Sequence, residues 1–232
     1  MGEPTPYDWP SRSSYFGIID LAGFPKDAYY FYQSEWTEKP VLHIFPHWNW
    51  KTGDTIDVWS YTNCDEVELF LNNQSLGSKQ KTKDDFHLQW RVEFRPGTLT
   101  AVGKKNGAVI LKDSVCTAGA PKKLLVQVDK TKLKADGYDL SFLTIRVVDE
   151  KGTLVPDANN KITVTVEGEA DLVGMDNGCQ TSLEPFQTNQ RSAFNGLCLA
   201  VIRVREEPGT ITVRINSEGL DGAEVKLQCI KK

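Results

Sequence analysis

The chain has 232 residues, more than the ~100 that one β-sandwich needs, so two domains are expected. With 40% hydrophobic and 25% charged residues the composition is that of a packed globular protein, which excludes disorder. A net charge of −4 without a Lys/Arg cluster excludes the basic footprint of a nucleic-acid binder, and no run approaches the ~20 apolar residues of a membrane-spanning helix.

In chain order, the first sixteen residues carry Pro4, Pro6 and Pro10 among turn formers, which rules out a regular helix or a central strand there. No basic region followed by an apolar core opens the chain, so no signal peptide is visible. Pro25 suits a first helical turn and Asp27 suits the helix dipole, predicting a helix from about Pro25 to Trp36. Its stripe of Ala28, Phe31, Tyr32 and Glu35, extended by Tyr29, Tyr30 and Trp36, is aromatic enough to require a large packing surface. Nothing else in the first 40 residues supplies one.

After Pro40 the period changes to two. Ile56, Val58 and Ser60 alternate with Asp57, Trp59 and Tyr61, and Val67, Leu69 and Leu71 alternate with Glu66, Glu68 and Phe70. Asn72-Asn73, Pro96-Gly97 and Asn106-Gly107 are turn signals, giving about seven short strands before residue 118 with the spacing of a sandwich. Lys79, Lys81 and Lys83 are read as a solvated loop. Ala118-Gly119-Ala120-Pro121 reads as a linker. A second β pattern follows: Leu143/Ile145/Val147, Ile162/Val164/Val166, Leu197/Leu199/Val201, Ile211/Val213/Ile215 and Val225/Leu227/Cys229 each share a face. Residues 168–196 read as one long irregular loop, open to a functional or a packed structural reading.

Little chemistry is visible. The five cysteines (64, 116, 179, 198 and 229) include no CxxC pair, and His43, His47 and His87 lack partners at ligand spacing, so neither a metal nor another cofactor is expected. His43 is read as a satisfied, partly buried histidine. The odd cysteine count leaves at least one free thiol; Cys198 and Cys229 read as small buried hydrophobes that could pair only if their strands are neighbours. Glu66 and Glu68 point the same way from one strand and are read as a solvated face rather than as the two carboxylates that glycoside hydrolysis needs. His47-Trp48-Asn49-Trp50 offers Trp48 and Trp50 either as carbohydrate contacts or as core and interface anchors, with the core reading favoured.

Several runs resemble a known family. Gly2 to Tyr7, Ser13 to Asp20 and Gly23 to Asp27 resemble the end of the catalytic (β/α)8 barrel in glycoside hydrolase family 2, notably the β-galactosidase-like enzymes of Bacteroides-type bacteria. Pro46 to Trp50, Asp65 to Asn72 and Pro96 to Gly103 resemble the immunoglobulin-like domain that follows that barrel. Asp139 to Phe142, Asn177-Gly178, Glu184 to Phe186 and Ala193 to Cys198 are similar to a further such domain at the C-terminus. Met175-Asp176 stands where the family more often has Val-Gly, and Cys179 where an acidic residue is usual.

The resemblance implies a mainly β fold: two immunoglobulin-like sandwiches in tandem, 40–118 and 119–232, preceded by a barrel remnant, 1–39, with one α-helix. It implies that the missing barrel of the same polypeptide is the chain's partner and the helix's packing surface, and that oligosaccharide is a further partner. The parent would be a retaining glycosidase, periplasmic or at the cell surface of a Gram-negative bacterium. The family's two catalytic glutamates lie before this segment, so no catalytic residue is assigned and the chain alone is expected to be inactive. Glu3 and Tyr7 match the loop after the last barrel strand, at the face where barrel active sites sit, which would place them at the sugar subsite of the parent. The rival reading is an independent carbohydrate-binding or adhesive pair of sandwiches.

Overall fold

The structure is a computed structural model and describes residues 16–231. One helix, α1 (Asp27–Trp36), precedes seven strands: β1 (Leu42–Phe45), β2 (Thr55–Thr62), β3 (Glu66–Leu71), β4 (Gln74–Gln80), β5 (Leu88–Glu93), β6 (Thr98–Lys105) and β7 (Ala108–Cys116). Nine more follow: β8 (Lys123–Val128), β9 (Lys132–Lys134), β10 (Leu140–Val148), β11 (Lys161–Glu167), β12 (Ala170–Asp176), β13 (Gln190–Ser192), β14 (Leu197–Val204), β15 (Gly209–Ser217) and β16 (Ala223–Ile230). The described residues form two compact units, one from Pro25 to Ala118, the other joining residues 16–24 with those from Gly119 onward.

The first unit is a sandwich of a three-stranded sheet, β1-β2-β5, and a four-stranded sheet, β4-β3-β6-β7. Strict alternation builds its core: Ile56 and Val58 from β2, Val67 and Leu69 from β3, Trp90 and Val92 from β5, and Leu99 and Ala101 from β6 are all buried. Asn72 (φ 51°) and Asn73 (φ 65°) make the β3–β4 turn, and Asn106 (φ 51°) with Gly107 (φ 78°) makes the β6–β7 turn. Both pairs are left-handed, the geometry that matches strand twist and that Asn and Gly reach at least cost.

Helix α1 finds its packing surface within this unit. The outer face of β1 and β2 carries His43, Phe45, Trp59 and Tyr61, and the helix lies against it. Tyr30 stacks on His43 at 3.9 Å and Phe31 meets Tyr61 at 5.4 Å. Asp27 Oδ1 lies 2.8 Å from His43 Nε2, and Glu35 pairs with Lys81 at 3.2 Å. Lys81 therefore stands in a covered ion pair rather than in a solvated loop, while Tyr32 and Trp36 stay exposed.

The second unit packs a four-stranded sheet, β12-β14-β10-β8, on a five-stranded one, β13-β11-β15-β16-β9. Leu143, Ile145, Val147, Ile162, Val164, Ile211, Val213 and Ile215 are buried between them. One strand reading changes. The stretch 168–196 is not one loop: Ala170–Asp176 pairs with β14 as β12, with a register shift between Leu172 and Gly174 that hides its alternation. On β14 Leu197, Leu199 and Val201 do share a face, and it is the outer one; Cys198, Ala200, Ile202 and Val204 face the core. All five cysteines are free; Cys198 lies on the four-stranded sheet and Cys229 on the five-stranded one.

The chain leaves the Ala118–Pro121 stretch through a built anchor. The Asp149 side chain is buried and accepts the N–H groups of Gly119 (2.8 Å), Thr153 (2.8 Å) and Lys151 (3.0 Å). The Gly119 N–H above all holds its carboxyl below the usual carboxylate range. A folded-state value lowered in this way stabilises above the unfolded value of about 4, and the gain is lost as pH falls through the folded one. Asp149→Ala should destabilise the second sandwich by roughly 1–3 kcal/mol at pH 7, because buried N–H groups lose their acceptor. Urea titrations should show the deficit shrinking below pH 4; a deficit constant down to pH 2 would contradict the carboxylate's role.

Candidate functional site

Several exposed and half-buried carboxylates are already engaged. Glu66 and Glu68, on the outer face of β3, both reach Lys104 Nζ, at 2.7 and 3.3 Å, and Lys104 with Ser78 and Gln80 keeps Glu66 below its ordinary range. Arg205 Nη2 sits 2.6 Å from Asp171 and lowers it, and Lys130 does the same for Asp139. Burial pushes the Glu184 carboxyl up, but Lys161 at 2.5 Å and the N–H and hydroxyl of Ser192 outweigh it and hold it down. A general acid for glycosidic cleavage needs the opposite, a carboxyl raised toward neutrality in a dry cleft. Among the described residues no group of three or more His, Cys, Asp or Glu side chains converges as a metal site.

Trp48 and Trp50, two residues apart, have different fates. Trp48 is fully buried, packs edge-on against Phe94 at 5.2 Å and donates its indole N–H to the Arg95 carbonyl at 3.0 Å. It shows no ring face to a sugar. Trp50 is 39% exposed, stacks on His47 at 4.8 Å with rings 13° from parallel, and donates to the His47 carbonyl at 2.8 Å. It is the member of the pair still able to meet a ligand. A groove of about 520 Å³ between the edge strands β4 and β5 has Trp90 as its floor. That indole is also spent: its N–H donates to the Gly77 carbonyl and Lys79 caps the ring at 5.6 Å.

The longest irregular stretch is the loop after β12, and it is packed around one charge. Asp176 Oδ1 accepts the N–H groups of Asn177 (2.7 Å) and Gly178 (3.2 Å), and Asn177 Oδ1 accepts that of Cys179 (3.0 Å), so successive side-chain turns reverse the chain. Arg191 is wholly buried behind this turn. Its guanidinium pairs with Asp176 at 3.2 Å, donates to Asn177 Oδ1 (3.2 Å) and the Glu184 carbonyl (2.9 Å), and lies 5.0 Å from the Phe186 ring centre. The loop is thereby an Ω-type structure closed on its own side chains. Sequence reasoning missed Arg191, because one arginine among polar neighbours gives no periodic signal. Asp176 did give one, as a departure from the family pattern, and it is the residue that anchors the turn.

Gly178 (φ 76°) brings the loop against the segment before α1. A Cβ there would stand 2.0 Å from Asp20 Oδ2, while Asp20 Oδ1 accepts the Phe24 N–H at 2.9 Å. Of the residues matched to the parent's sugar subsite, Glu3 and Tyr7 lie outside the described residues.

Comparison with known proteins gives a consistent result. Residues 124–226 match the family model described as glycoside hydrolase family 2 C-terminal domain 5, and residues 53–111 match a domain of unknown function (DUF4982). The chain is 52% identical over 228 residues to β-galactosidase BoGH2A of Bacteroides ovatus, covering 98% of this chain and 27% of that protein. A Formosa agariphila protein with a provisional β-glucuronidase name is 38% identical over 83% of this chain and 19% of its own length. The crystal structure of a β-glycosidase from Bacteroides vulgatus superposes with a TM-score of 0.92 at 39% identity, covering 95% of this chain and 29% of that one.

Arg191→Ala should cost about 3–5 kcal/mol, since it empties a wholly buried site and leaves the partly buried Asp176 and the Glu184 carbonyl without their cation. Arg191→Lys should recover only part of this, because an ammonium cannot serve the same fork of acceptors. Trp48→Ala should cost about 3–5 kcal/mol and Trp50→Ala less than about 1 kcal/mol. Chemical denaturation of the four variants checks both contrasts, and equal losses for the two tryptophans would refute the division drawn between them.

Proposed function

The chain belongs to glycoside hydrolase family 2, and on that premise we propose that its two sandwiches are non-catalytic accessory domains of a β-glycosidase. The observation that carries the reading is the state of the carboxylates: those that the surroundings shift are lowered, and each is held by a cation, by N–H groups or by a hydroxyl. The coverage supports it, because the relatives are three to five times longer than the stretch they share with this chain. In the whole protein, retaining hydrolysis through a glycosyl-enzyme intermediate falls to two glutamates of the barrel, and the sandwiches support it. The names of the relatives divide between galactoside and glucuronide, so the substrate class is a β-linked glycoside whose sugar the barrel selects.

Within this reading Glu3 and Tyr7 border the sugar subsite of the whole enzyme. Glu3→Gln and Tyr7→Phe in the full polypeptide should then raise KM or lower kcat/KM by about tenfold, the loss expected when one or two hydrogen bonds to substrate go. Carbohydrate binding by the chain itself falls to the half-exposed Trp50. It predicts fluorescence quenching by galactosides that Trp50→Ala abolishes.

The deciding experiment sets the purified 232-residue chain beside the full polypeptide on a panel of nitrophenyl β-glycosides that includes the galactoside and the glucuronide. Hydrolysis by the full polypeptide alone is the expected result, and its preferred substrate names the sugar. Turnover by the short chain, abolished by Glu184→Gln, would sink the accessory reading.

A further inference from the structure

An antiparallel sheet with one face in water alternates apolar and polar residues, whereas one covered on both sides is apolar on both. Part of the four-stranded sheet of the second sandwich, along β14 and the start of β10, has the covered pattern. On β14 the core takes Cys198, Ala200 and Ile202, yet the outer face carries Leu197, Leu199 and Val201. Register places Val201 opposite Phe142 of β10 and Leu199 opposite Thr144. On β8, Leu125 stands outward opposite Arg146. Phe142 is 41% exposed and stands opposite Val201, with Leu199 and Leu197 next along β14, so an apolar patch spans β10 and β14 on the side away from the core; Leu125, 43% exposed, faces the same side but stands apart from it.

Part of this patch is occupied. Leu21 to Phe24, tied into a tight turn by Asp20, borders a cavity of about 520 Å³ whose other walls are Asp129, Phe142, Thr144 and Leu199. The carboxylate at its rim is satisfied at home, since Asp129 Oδ1 accepts the N–H groups of Lys130 and Phe142. The occupying turn is itself half covered: Ala22 is buried while Leu21 and Ile19 are 45% and 48% exposed. Apolar surface on the sheet therefore continues directly onto apolar surface of the segment seated on it.

From this continuity we infer that the outer face of the β12-β14-β10-β8 sheet, capped by residues 19–24, is the seat of the catalytic barrel of the same polypeptide. This rests on the accessory reading above and adds the surface through which it operates. Gly23 and Phe24 belong to a run that resembles the end of that barrel, and with Leu21 and Ala22 they already line the cavity on this face. The family model for 124–226 is a C-terminal domain, and 71–73% of the two best-covered relatives lies outside the match, enough chain for a barrel to lie over the patch. The Gly178–Asp20 approach fixes the same segment from the side.

Hydroxyl-radical footprinting of the full polypeptide and of the 232-residue chain tests this. Phe142 and Leu125 should be oxidised at least about fivefold faster in the short chain. The double substitution Leu125→Thr/Phe142→Thr keeps strand-forming residues on an exposed face. It should leave the short chain's melting temperature within about 2 °C, yet make the full polypeptide at least fivefold more sensitive to proteolysis before residue 24. Equal oxidation in both chains would overturn the proposal. So would protection in the short chain that disappears on dilution, which would mark a contact between copies. The glycoside panel reports separately on the accessory reading: an active short chain with full protection of Phe142 in the long one would remove that reading and keep the surface.

Discussion

In both sandwiches every second side chain of the central strands has to leave water, and a second sheet must stand opposite to receive it. That pairing of apolar faces is the condition for everything else in the molecule. It sets which residue of each strand is large, puts Trp48 and Trp90 inside the first unit, and leaves the turns to Asn, Gly and Pro. It also explains why polar chemistry is confined to outer faces, edges and loops, where an ion can keep its partners without displacing the core.

The charges that do enter the fold are structural. Asp149 gathers N–H groups of the linker and its own turn, and Arg191 gathers the carbonyls and carboxylate of the loop after β12. A buried charge held by such partners is costly to remove, because its loss strands the groups it was paired with. The difference between these sites and a glycosidase centre is one of environment: the same residue types are present, held in the wrong ionisation state for acid catalysis.

A division of labour follows. The alternation of a sandwich gives rigid faces at little cost, and rigid faces suit holding another element in place. The first unit uses the outer face of its β1-β2-β5 sheet to bind helix α1 through stacked aromatics. The second unit has an apolar patch on its outer face, across β10 and β14, covered only in part by residues 21–24.

The sequence by itself determined the local elements: period-two alternation marked most strands, Asn-Gly and Asn-Asn marked the turns, and Pro25 with Asp27 marked the helix, because each rests on interactions within a few residues. The order of family motifs along the chain identified what it belongs to. Where the local signal was two-sided, it ran out. Leu197–Val204 is apolar at nearly every position, so alternation could not say which half faces the core; only the opposing sheet decided that Ala200 goes in and Leu199 out. The shifted register of β12 and the partners of helix α1, Lys81 and Arg191 were likewise set by residues beyond the reach of a local pattern. Trp48 and Trp50 carry the same side chain two positions apart on a segment outside the strands, and tertiary packing alone buried one and left the other half in water.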